Sequence, residues 1–103
     1  MTEIENRTAI ILRALDSEVR RELIKIALSK GPLDADNYYN EILARNFQIK
    51  YKESVYKELQ LLVEAELLDK YYDIKSKKIK YKLSANKVII DLKSMECHII
   101  KEN

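Results

Sequence analysis

Residues 52–83, KESVYKELQLLVEAELLDKYYDIKSKKIKYKL, decide the fold of this 103-residue chain. Lys52–Ala65 carries Val55, Leu59, Leu62 and Val63 at helical spacing, which predicts a helix with one buried stripe. Leu67-Leu68 opens a different pattern. Lys78–Leu83 reads K-I-K-Y-K-L, an alternation of period two that predicts a strand. Such a strand presents Ile79, Tyr81 and Leu83 to a core and Lys78, Lys80 and Lys82 to water. Lys75-Ser76-Lys77 supplies the turn before it. The stretch predicts a helix that feeds a lysine-studded hairpin over residues 68–83.

Charge is segregated along the chain. The net charge is only +2, but residues 70–87 hold seven lysines and one acid, Asp73. That run suggests a local anion-binding surface, with nucleic acid as the leading partner. The competing reading is a solvated strand face, because lysine is a common outward residue in strands. Other classes find little support. No apolar run approaches the roughly 18 residues of a membrane span. MTEIENRTAI lacks the basic and apolar regions of a signal peptide. One cysteine forms no internal disulfide, and a cytoplasmic setting is expected. The single glycine, Gly31, leaves no Gly-rich phosphate loop. With one histidine and one cysteine, no nucleophile–base pair stands out, and an enzyme is not expected. No cofactor is expected. Abundant Lys, Glu, Ile and Tyr fit a thermophile, and an A+T-rich genome gives the same bias.

Outside this stretch, helices are predicted over Glu3–Ala14, Glu18–Ser29 and Asn37–Arg45. Ser17 is a candidate N-cap, and Gly31-Pro32 a stop. Asp36 or Asn37 would cap the third helix, whose inner face would be Tyr38, Ile42 and Leu43. Asn46 fits a left-handed C′ position. Phe47 and Ile49 would re-enter the core. Ser84 would cap a last helix over residues 85–101. The first and last helices carry apolar stripes at heptad spacing: Ile4, Thr8, Ile11 and Leu15, then Val88, Leu92, Met95 and Ile99. Left bare, each is a patch of several hundred Å², more than a monomer usually exposes. Either they fold back on their own core or they pair with a second copy, and a homodimer is the expectation.

Three ordered segments carry a family resemblance. Leu12–Leu23, LRALDSEVRREL, is similar to L-x-A-L-x-D-x-x-R-x-x-I-L. Ser54–Leu68, SVYKELQLLVEAELL, is similar to T-V-S-x-H-L-x-x-L-x-x-A-G-L-V. Lys78–Ser84, KIKYKLS, is similar to R-x-Y-Y-x-L-T. In this order they resemble the winged helix-turn-helix transcription regulators, most closely the ArsR-like group. The implied fold is mostly α with a small β-hairpin: one domain, with the helix-turn-helix at residues 37–65, the wing at 68–83, and dimerisation helices at 1–15 and 85–101. The implied activity is sequence-specific binding of double-stranded DNA as a dimer. The alternative is a winged-helix protein–protein interaction module.

Departures from the family pattern are specific. Glu66 stands where the family has glycine, and a left-handed non-glycine residue costs about 1 kcal/mol. The metal ligands of the sensing members are missing. Cys97 and His98 are adjacent, and on a helix would point about 100° apart, a poor chelate. They read as incidental, with an intersubunit disulfide through Cys97 as another option. For DNA, the resemblance implies that the outward N-terminal face of the recognition helix reads bases. Here that face holds Lys52, Glu53, Tyr56, Lys57 and Gln60, with Ser54 at its edge. Lys50 and Lys52 suit phosphates. Wing residues Lys75, Lys77, Lys78 and Lys80 would contact flanking backbone without reading sequence. Tyr71, Tyr72 and Tyr81 read as sheet packing rather than base stacking.

Overall fold

The computed structural model describes residues 3–101, with side chains for 7–101. The chain runs α1 (Glu3–Leu15), α2 (Glu18–Lys30), β1 (Leu33–Asp34), α3 (Ala35–Ala44), α4 (Lys52–Glu64), β2 (Leu68–Asp73), β3 (Lys78–Leu83), β4 (Lys87–Asp91) and β5 (Glu96–Ile100). Local signals set the helix ends. Ser17 caps α2, accepting the Arg20 amide. Gly31 ends it at φ 77°, a conformation without penalty only for glycine. Asp34, rather than Asp36 or Asn37, caps α3 through the Asn37 amide at 2.8 Å. Asn46 and Glu66 both take positive φ just after α3 and α4, where the chain must reverse.

The core is built from one stripe of each helix. Leu23 and Ile26 of α2, Tyr38 and Ile42 of α3, and Val55, Leu59 and Leu62 of α4 are fully buried together. Leu43 turns outward instead and is exposed. Phe47 and Ile49 pack against the cluster from the turn. β1, β3 and β2 form a three-stranded antiparallel sheet in that order, with Tyr81 opposite both Leu33 and Lys70. Tyr81, Leu68 and Asp34 are its buried members. The Tyr38 hydroxyl donates to the Tyr81 carbonyl at 2.9 Å and ties α3 to the wing. Burial drives the Tyr38 phenol far above its ordinary range. Ile79 is exposed, because the far half of the wing projects past the core.

Residues 85–101 are a hairpin and not a helix. Val88, Ile89 and Ile90 pair with Ile99, His98 and Cys97. Two physical reasons favour strands. The apolar runs are β-branched, which suits a pleated surface. Between them the Asp91 carboxylate accepts the Lys93 amide at 2.9 Å, an Asx turn, and Met95 takes φ 59°. Heptad spacing of Val88, Leu92, Met95 and Ile99 was coincidental: Val88 and Ile99 face each other across the ladder, while Leu92 and Met95 sit in the turn. Ser84 does not cap a helix; its hydroxyl donates to the Glu66 carbonyl.

This hairpin also changes the role of α1. β5 packs against α1, and the Thr8 hydroxyl donates to the Met95 carbonyl at 2.7 Å. Ile11 is 1% exposed and Thr8 3%, so both are buried inside the protomer and are not interface residues. Leu15, Val88 and Ile99 pack against the same core. Leu92, 80% exposed, and Met95 are free at the turn. The Ile4 side chain lies outside the described residues.

Candidate nucleic-acid interface

α3, the turn 45–51 and α4 follow one another as helix, turn and helix, and the β2–β3 hairpin, the expected wing, lies beside them. α4 buries Val55, Leu59 and Leu62, so its opposite face is forced outward: Ser54, Tyr56, Lys57 and Gln60 are exposed. Lys50 precedes it in the turn, with its ammonium 5.3 Å from the Tyr51 ring centre. At the far end of the wing Lys75 and Lys77 are exposed, Lys77 at φ 58° in the turn. A cleft of about 510 Å³ separates the two, lined by Tyr56 on the helix side and Tyr72, Lys77, Lys78 and Ile79 on the wing side.

The floor of this cleft is acidic, a feature the local sequence pattern does not reveal. Asp34 pairs with Lys78 at 3.1 Å. Burial pushes the Asp34 carboxyl up, but the Asn37 amide and the Lys78 ammonium outweigh it and hold the group below its ordinary value. Asp36 pairs with Lys52 at 3.1 Å and accepts the Tyr56 hydroxyl at 3.0 Å. These bonds lower the Asp36 carboxyl and raise the Lys52 ammonium and the Tyr56 phenol. Asp73 holds Lys80 at 2.8 Å and receives the Lys75 amide and the Ser76 hydroxyl, which lowers it in turn. The predicted lysines and Tyr56 therefore fall into two sets. Lys52, Tyr56, Lys78 and Lys80 are held by aspartates. Lys50, Lys57, Lys75 and Lys77 make no ion pair among the described residues.

One position behind α4 fixes its seating. Arg20 donates to the Glu58 carboxylate at 2.7 Å and to the carbonyls of Ala14 and Arg13 at 2.8 Å each. Its guanidinium joins the end of α1 to the middle of α4. Cys97 and His98, on a strand rather than a helix, point to opposite faces. Burial raises the Cys97 thiol, with Arg7 acting against it. Among the described residues no group of three or more His, Cys, Asp or Glu side chains is placed to hold a metal ion, and no helix is long and apolar enough to cross a membrane.

No protein-family model and no curated protein matches this chain. Among solved structures, a manganese uptake regulator aligns with a TM-score of 0.44 and 18% identity, covering 99% of this chain and 65% of that one. The chain thus spans less than two thirds of that protein's length.

Proposed function

We propose that this chain is a winged helix-turn-helix regulator that binds double-stranded DNA as a homodimer, with α4 in the major groove and the wing on flanking backbone. The observation that carries the reading is the exposed Lys57 and Gln60 on α4 set beside a wing tip bearing the exposed Lys75 and Lys77. A lysine donates to guanine edges and a glutamine pairs with adenine, while tip lysines meet phosphates. The aspartate-held lysines have a defined part. A DNA phosphate competes with Asp36 for Lys52 and with Asp34 for Lys78, so contact requires an exchange of anionic partners. Phosphate contacts made this way raise affinity and release counterions.

A protein-interaction module is the second reading, and one observation favours it: the wing also exposes Tyr72, Ile74 and Ile79, apolar area that phosphate does not need. Selection of bound duplexes from a random pool, followed by footprinting, separates the two. DNA binding predicts a recovered motif protected on one face, with paired half-sites about one helical turn apart. Recovery of no enriched sequence, together with no protection, overturns sequence-specific binding.

A further inference from the structure

Each strand of the β4–β5 hairpin pairs only with the other among the described residues. β5 packs against α1. The five residues of β4, Lys87-Val88-Ile89-Ile90-Asp91, carry a charge at each end and only apolar residues between. There is no proline, no interruption in the pairing with β5, and no charge on the inward face. Val88 and Ile90 point inward with Ile99 and Cys97 across the ladder. Lys87, Ile89 and Asp91 point out and are exposed, Ile89 at 52%.

We infer that β4 pairs antiparallel with β4 of a second copy of this chain about a two-fold axis through Ile89, joining two hairpins into one four-stranded sheet. The strand is its own complement in this register. Lys87 stands opposite the partner's Asp91 at each end, Ile89 opposite the partner's Ile89 in the middle, and Val88 opposite the partner's Ile90 on the inner face. Opposite charges and apolar pairs facing each other stabilise a ladder, and like charges destabilise it. A one-residue slip sets the outward face of one hairpin against the inward face of the other. A two-residue slip breaks both ion pairs. The β5 edge has no such complement: a two-fold through His98 would face histidine with histidine and Glu96 with the partner's Ile100. α1 also packs against β5. The inference rests on the homodimer part of the reading above and is independent of what the dimer binds.

Charge exchange tests it by sedimentation equilibrium of the full chain at low salt. Lys87→Asp alone and Asp91→Lys alone each put like charges opposite at both ends, and each weakens the dimer about tenfold. Mixed in equal amounts, the two variants regain opposite charges and form a heterodimer close to wild-type strength. Asp91 also caps its turn, so the mixing arm guards against a loosened hairpin, which cannot produce rescue. Ile89→Cys in a Cys97→Ser background adds a second readout. Facing positions on the axis lie about 4.5–5.5 Å apart at Cβ, close enough to cross-link under mild oxidation with small adjustment. A wild-type chain that is monomeric throughout the micromolar range overturns both the homodimer and the pairing. A wild-type dimer indifferent to the charge variants, with no cross-link at position 89, overturns the pairing alone and leaves the homodimer to another surface. DNA binding is measured separately by the duplex selection.

Discussion

Replacing Arg20 with methionine removes the charged fork that seats α4 while keeping an unbranched stem of similar length. Arg20 is 11% exposed at its side chain and makes bonds of 2.7 Å to Glu58 and 2.8 Å to the carbonyls of Ala14 and Arg13. Those carbonyls lie at the end of α1, where Arg13 also accepts the Asp16 amide at 3.2 Å. A hydrogen bond involving a charged group contributes about 1.5–3 kcal/mol. The three share one guanidinium and do not add. Glu58 is 25% exposed and regains water when left alone, so the expected loss is about 2–4 kcal/mol. For a chain of this length that lowers Tm by about 10–25 °C. Urea unfolding followed by circular dichroism at several temperatures reads the change. Arg20→Lys recovers little, because an ammonium cannot span the carbonyls and the carboxylate as a planar fork does. A double-mutant cycle with Glu58→Gln isolates the ionic part. A loss under about 1 kcal/mol for Arg20→Met would refute the claim that this fork seats α4.

Lys57→Ala and Gln60→Ala relax base preference at separate operator positions, by about 1–3 kcal/mol for each lost bidentate contact, read by competition among single-base variants of the selected site; equal loss on random DNA reassigns the residue to backbone. Gly31→Ala meets no atom within 4 Å but forces a side chain into φ 77°, ψ −159°, so urea unfolding records a loss of about 1–3 kcal/mol from backbone strain alone. The depressed Asp34 carboxyl contributes stability that is present above its ordinary value of 3.8 and is lost as pH falls through its lower folded value. The stability gap between wild type and Asp34→Asn therefore narrows in acid, and a gap constant with pH contradicts the pairing with Lys78.

The readable parts of the sequence were those whose signals are local. Val55, Leu59 and Leu62 lie on one helical face because their spacing demands it, and all three are fully buried. Gly31, Asn46 and Glu66 mark chain reversals, and each takes positive φ. Outward placement of Lys57 and Gln60 follows directly from that buried stripe. The last 17 described residues misled for a physical reason. Short apolar runs such as Val88–Ile90 and Ile99–Ile100 fit strand and helix alike, and only β-branching and the Asp91 turn separate the two. Ile11 reads as an interface residue only if residues 85–101 are a helix; with a hairpin there, it belongs to the buried core. Asp34 and Asp36 were hidden differently. Asp34 reaches the β2–β3 hairpin through the pairing of β1 with β3, which sets it opposite Lys80, while Asp36 reaches Lys52 and Tyr56 on α4. No spacing within residues 68–83 encodes either contact. Arg20 likewise joins residues 38 positions apart.

The central claim is that α4 and the wing bind duplex DNA through lysines, and the salt dependence of that binding tests it most directly. Fluorescence anisotropy of a labelled duplex, across a series of salt concentrations, is compared between wild type and the combined Lys75→Ala, Lys77→Ala and Lys78→Ala variant. The account predicts a linear fall of log affinity with log salt for the wild type, and a slope shallower by up to about three in the variant if each lysine makes one phosphate contact. No duplex binding at low salt contradicts the account, and so does an unchanged slope with affinity intact.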